Sequence, residues 1–297
     1  MDAVRNWPLP VLIALFWSLS PVLALGFAGD WIIRRIERLP VALRLLLPCL
    51  CGVPYPLVAL SAGTFRWEWC ALYFALPVLI ALLLWRARLK DEQQKGMWLD
   101  AFILLCLGLA VDLRWLESAW PHSLTFIGKL VLVDCGLYGF MVIRQLSNVG
   151  FDLRIRLRDL LIGLRETLFF APVAIGLGLA LGFLEWHGKL PRLGEIGFAW
   201  GFTFLFIAIP EELYFRGWMQ NLLERRLGRR TALVLTAIVF GLAHFNKRAR
   251  FFNWRYVLLA ALAGIFYGRA WRQEHRLAAS SITHATTDAI WSIWFRH

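Results

Sequence analysis

The stretch IPEELYFRGW, residues 209–218, sets two adjacent glutamates, Glu211 and Glu212, directly after an almost unbroken apolar run from Ile196 to Ile209. Ionised carboxylates are costly in hydrocarbon, so the pair calls for partners or a task. On a helix Glu212 and Arg216 share a face four residues apart, with the acid on the N-terminal side, the better order for an ion pair. Glu211 is turned about 100° away, and its own i+4 position is Phe215. The spacing predicts two jobs: Glu212 neutralised by Arg216, Glu211 available for chemistry. Pro210 is expected to interrupt the helix just before the pair and free backbone groups for a polar site.

Two further motifs add histidines. In FGLAHF (240–245) Phe240 and His244 are four apart, and in SITHATTDAI (281–290) His284 and Asp288 share a helical face. A carboxylate and a histidine facing each other can hold and deprotonate a water. A second histidine and a neighbouring group can stabilise the oxyanion formed as water adds to a carbonyl. No serine, threonine or cysteine in these motifs sits as a covalent nucleophile beside a base, so hydrolysis by activated water, without a cofactor, is the economical reading. Zinc is the alternative: Glu211, His244 and His284 make a catalytic ligand set with a position open for water. The helical HExxH arrangement is absent.

The motifs also share a depth. Glu212 lies 13 residues before Arg225, and His244 lies 14 after Arg230. At 1.5 Å per residue both are about 20 Å from one basic edge, and His284 and Asp288 are about 12 and 18 Å past Arg276. One slab of the bilayer therefore holds Glu211, His244, His284 and Asp288.

The elements that must position them are membrane helices. The 297 residues are 59% hydrophobic with 16 tryptophans, more apolar surface than a soluble domain of this size hides. The expected fold is an all-α polytopic bundle of about 8–10 spanning helices, with candidate spans at 10–28, 41–61, 68–86, 97–116, 123–143, 167–186, 195–213, 229–246, 255–271 and 277–295. The net charge of +12 lies in short basic clusters between apolar runs. That pattern points to lipid headgroups and the positive-inside bias, and no separate basic module exists for nucleic acid. Odd-numbered spans end in basic loops, expected on the cytoplasmic side, although Lys247, Arg248, Arg250 and Arg255 lie opposite. Cys49, Cys51, Cys70, Cys106 and Cys135 read as small buried hydrophobes. Asp112, Lys129 and Asp134 read as paired or snorkelling charges. The amphipathic stretch FDLRIRLRDLLIGLRETL (151–168) is expected to lie in the interface plane. It divides an N-terminal set of helices without assigned role, 1–150, from a core at 151–297.

EELYFR, FGLAH and HATTD resemble the three motifs of the family of CAAX proteases and bacteriocin-processing enzymes. That family's pattern is Glu-Glu-x-x-x-Arg, then Phe-x-x-x-His, then His-x-x-x-Asn or Asp. The resemblance covers about residues 195–295. It implies an intramembrane endopeptidase with Glu211 as catalytic glutamate, His244 as its partner in activating water, His284 and Asp288 at the oxyanion, and Glu212–Arg216 as a structural pair. Its substrate would be a membrane-tethered peptide or protein, of CAAX type or cut at a prepeptide or C-terminal tail, and its expected home is the bacterial inner membrane. Asp288 stands where the best-studied eukaryotic members have asparagine. An ionised aspartate cannot donate to an oxyanion, so it is protonated, orients His284 or ligates a metal. A non-enzymatic scaffold or proton-coupled transporter is the competing class, since such residues also build proton relays. The matched Gly/Pro-interrupted segments of repeat-built carriers are missing.

Overall fold

A computed structural model of the chain describes residues 7–188, 191–247 and 251–295; Arg248 and Arg250 of the basic loop lie outside them. Among the described residues there are ten helices and no strand. They are α1 (Leu9–Glu37), α2 (Val41–Ser61), α3 (Trp67–Lys90), α4 (Trp98–Asp112), α5 (His122–Ile143), α6 (Leu157–Ala180), α7 (Leu193–Leu227), α8 (Arg229–Leu242), α9 (Trp254–Glu274) and α10 (Leu277–Trp294). The helices α1, α2, α3, α5, α6 and α7 are long and apolar enough to cross a membrane. The chain is an all-α, polytopic integral membrane protein.

Local chemistry sets the helix ends. Pro8 and Pro40 precede α1 and α2, where a missing N–H costs nothing. In the first turns of α4, α6 and α7, Asp100, Asp159 and Glu195 accept the N–H groups of Met97, Arg156 and Arg192. Those carboxylates satisfy donors that the helix itself leaves open. Gly228, at φ +75°, turns the chain from α7 into α8 in a conformation that side chains disfavour.

Two helices depart from expectation. The amphipathic stretch is no separate in-plane element, because Leu157–Ala180 is one continuous helix of 24 residues. Its buried face carries Asp159, Gly163, Glu166 and Thr167, while Leu157, Leu161, Leu164 and Leu168 are exposed. In lipid the apolar stripe faces outward and the polar face needs protein, the inverse of the soluble pattern. The second is α7, which runs 35 residues through Pro210 without interruption. Wider π-helical turns at Phe204–Ala208 and Leu213–Gln220 flank Ile209–Glu212. Such turns accommodate proline's missing donor and its clash with the preceding turn.

The chain divides into two compact units at Ser147/Asn148. In the first, Tyr55, Tyr73 and Trp120 form an aromatic cluster, with Trp120 Nε1 donating to the Tyr73 hydroxyl at 2.6 Å. Buried Arg144, just past α5, binds Asp100 through Nε at 2.9 Å and also pairs with Asp91. Lys129 pairs with Glu117 at 2.9 Å, as expected of a charge in a span. Asp134 does not follow: it is buried, and its Oδ1 has no hydrogen-bond partner among the described residues.

In the second unit the core gathers Phe170, Phe215, Phe240, Ala260, Ala263 and Tyr267 from α6, α7, α8 and α9. Arg276, at the start of α10, ties that helix to the segment leading into α6. Its Nε and Nη2 reach Asp159 at 2.8 and 2.9 Å, and its Nη1 reaches Asp152 at 3.0 Å. Burial opposes ionisation of Asp152, but hydrogen bonds from Arg154 and Arg276 outweigh it and hold the carboxyl at about 2. The clamp sets the register of α10 two turns before His284.

Candidate active site

Glu211, Glu212 and Arg216 come from α7, His244 and Lys247 from the turn after α8, and His284 and Asp288 from α10. Glu212 is fully buried, and its Oε1 accepts from Arg216 Nη1 at 3.2 Å. The same oxygen lies 2.8 Å from His284 Nδ1. Arg216 also donates to the Gly264 carbonyl at 3.0 Å, and its Cζ stands 4.6 Å from the centre of the Phe240 ring. A buried guanidinium with a carboxylate, a carbonyl and an aromatic face around it is well provided for.

His284 is the hub. Its Nε2 is 3.6 Å from Asp288 Oδ2 and 3.9 Å from Glu211 Oε2, so both ring nitrogens face carboxylates. Three carboxylates (Glu211, Glu212, Asp288) stand against two fixed cations (Arg216, Lys247), and a His284 ring carrying both protons balances the count. Glu211 is about a quarter exposed, with Oε1 at 3.8 Å from Lys247 Nζ. Its Oε2 is buried and makes no hydrogen bond among the described residues. Asp288 is 30% exposed, so the two outer carboxylates are the accessible ones.

No hydrogen bond or ion pair joins His244 to Glu211 among the described residues. Its Nδ1 lies 2.8 Å from the Phe240 carbonyl. A carbonyl only accepts, so Nδ1 carries the proton and Nε2 keeps its lone pair. Phe240 lies between the histidines, its ring centre 4.9 Å from that of His244 and 5.8 Å from that of His284. Both histidines and Asp288 line a cavity of about 90 Å³ whose remaining wall includes Phe170, Tyr256 and Trp291. Glu211 faces His284 from α7 and is not part of that wall.

A zinc ion on Glu211, His244 and His284 needs their donor atoms to converge. Two bonds of 2.0 Å at a tetrahedral angle hold donors roughly 3.3 Å apart, and Nε2 of His284 is 3.9 Å from Glu211 Oε2. Among the described residues no group of three His, Cys, Asp or Glu side chains is placed to hold a metal ion. As arranged, these residues do not form a zinc site.

Three features escaped the sequence. The contact of Glu212 with His284 adds to its pairing with Arg216. Lys247 lies three residues past His244, a spacing that could have flagged it as sharing that face. Tyr267 stacks on His284 from a helix without any motif.

The fold and site define a polytopic membrane protein with an acid–histidine cluster buried in its C-terminal unit. Residues 194–290, from the start of α7 into α10, match the family model Rce1-like, described as type II CAAX prenyl endopeptidase. That stretch, about a third of the chain, is thus similar to the family of CAAX proteases and bacteriocin-processing enzymes. No curated protein and no solved structure matches the chain.

Proposed function

We propose that this chain is an intramembrane endopeptidase in which Glu211 and His244 activate a water while His284, oriented by Glu212 and Asp288, binds the oxyanion. The observation that carries the reading is the buried Oε2 of Glu211, without a hydrogen bond among the described residues and 3.9 Å from His284 Nε2. That separation is too long for a direct hydrogen bond, and an oxygen atom roughly 2.8 Å from each atom bridges it.

The water oxygen bonds to the scissile carbonyl carbon as its proton passes to Glu211, and the carbonyl π pair moves onto oxygen. His284 donates to that oxyanion, and the Nε2 lone pair of His244 helps position the water. Collapse breaks the C–N bond, and the proton held by Glu211 goes to the departing amine. Asp288, an acceptor 3.6 Å from His284 Nε2, serves as the orienting group. The substrate is a membrane-tethered peptide or protein, its apolar flank next to the cavity beside His244 and His284. The proposed setting is a bacterial inner membrane.

The test is cleavage of lipid-anchored peptides, of CAAX type and of prepeptide type, by the protein in liposomes. Glu211→Gln and His244→Ala are each expected to lower kcat by about 100-fold or more. Wild-type cleavage by either variant refutes the mechanism. Activity is expected to survive removal of bound metal by a chelator; a loss restored by zinc would replace the glutamate mechanism with a metal one.

A further inference from the structure

We propose that Tyr267 on α9 is a positioning residue for His284, its ring plane keeping Nδ1 on Glu212 and Nε2 toward Glu211 and Asp288. The inference rests on the reading of His284 as the oxyanion donor.

The geometry around the imidazole is specific. The Tyr267 ring lies parallel to it, with centroids 4.6 Å apart and planes 18° from each other. Phe240 meets it edge-on at 89° and 5.8 Å. The hydrogen bond to Glu212 fixes one atom of the ring but not its plane, because the torsion that swings an imidazole is broad. A flat neighbour restricts that torsion directly. A ring tilted away from this plane would carry Nε2 off the line to Glu211 and Asp288, and a misplacement of about 1 Å can cost 100-fold in rate.

Tyr267 is itself held firmly. It is 2% exposed, and α9 is drawn close to its neighbours one turn earlier, at Gly264. A Cβ at Gly264 would lie 3.0 Å from the Cα of Ala237 on α8, so glycine allows this approach without pressing on the α8 backbone. The Gly264 carbonyl accepts from Arg216, whose Cζ is 5.4 Å from the centre of the Tyr267 ring. The ion pair that fixes Nδ1 of His284 therefore also anchors the helix that supplies the stack. One side chain is held at an atom by α7 and across its face by α9.

The experiment compares Tyr267→Phe, Tyr267→Leu and Tyr267→Met in liposomes with an anchored peptide cleaved by the wild type, alongside Glu211→Gln. Tyr267→Phe keeps the plane and is expected to hold kcat within about threefold. Tyr267→Leu and Tyr267→Met remove the plane and are expected to lower kcat roughly 10- to 100-fold, with KM within about threefold. Wild-type kcat in a folded Leu or Met variant overturns the assignment. A loss of more than about tenfold in Tyr267→Phe also overturns it, and that variant decides if neither aliphatic one folds. If Glu211→Gln is inactive while the aliphatic variants cleave normally, only the Tyr267 assignment falls. If Glu211→Gln cleaves normally, the proposed function falls with it.

Discussion

Glu212 and Glu211 are neighbours in sequence with opposite surroundings. Glu212 is enclosed between Arg216 and His284, whereas Glu211 is reached by Lys247 and His284 and remains about a quarter exposed. Removing Glu212 leaves the guanidinium of Arg216 buried without its carboxylate. Glu212→Ala is expected to destabilise the protein by roughly 3 to 5 kcal/mol, read as a lower midpoint in thermal unfolding. Glu211→Gln is expected to leave that midpoint nearly unchanged, since Lys247 is 40% exposed and buried His284 keeps Glu212 and Asp288 beside it, while cleavage is lost. Equal destabilisation by the two substitutions would contradict the division of roles. Asp288 supplies a second comparison. If it orients His284, Asp288→Asn keeps a side-chain oxygen at Nε2 and stays within about tenfold of wild-type kcat, whereas Asp288→Ala loses about 100-fold. The outcome that sinks this role is an alanine variant as active as the asparagine one.

Helices deliver these residues to one place, and the clamp at Arg276 shows how their register is kept. Asp152 and Asp159 hold the guanidinium that starts α10, so the position of His284 along the bundle depends on an ion-pair cluster two turns away. The Asp152 carboxyl is depressed from 3.8 to about 2. A depressed carboxyl stabilises the fold above its unfolded value and loses that contribution as pH falls through its folded value. The link is therefore intact above about pH 4, weakens between pH 4 and 2, and contributes on the order of 2 kcal/mol at neutrality. Asp152→Asn should be less stable than wild type by that amount at pH 7, and the difference should close toward pH 2; a constant difference would rule the linkage out. The pairs inside one helix were legible in the sequence because the turn repeats every 3.6 residues: Glu212 with Arg216 and His284 with Asp288 follow from spacing alone. The contacts of His284 with Glu212 and Tyr267 were not, since they depend on how α7, α9 and α10 pack. The outward leucines of α6 were misread because an amphipathic stripe marks a boundary between polar and apolar surroundings without saying which side is protein. Pro210 was misread because the backbone widened around it and did not break.

At the scale of the molecule, Glu211, His244, His284, Asp288, Tyr267 and the Arg276 clamp all lie between Asn148 and Phe295, within one compact unit. The match to the endopeptidase family also lies wholly inside that unit. Its first residues are tied to its last helices: Leu277 N–H donates to the Gly150 carbonyl at 2.9 Å, and Trp271 Nε1 donates to the Val149 carbonyl at 3.1 Å. The segment entering α6 is thus fastened to α9 and α10 at the point where the unit begins. We predict that a chain of residues 148–297, inserted into liposomes, cleaves the same anchored peptide with kcat/KM within about tenfold of the full chain, as expected when the whole reacting constellation is retained. An unchanged kcat with raised KM would assign α1–α5 to capturing the substrate. A fragment that folds, by its thermal transition, but has lost kcat would show that the first unit completes the catalytic geometry. That result would overturn the assignment of chemistry to the C-terminal unit alone.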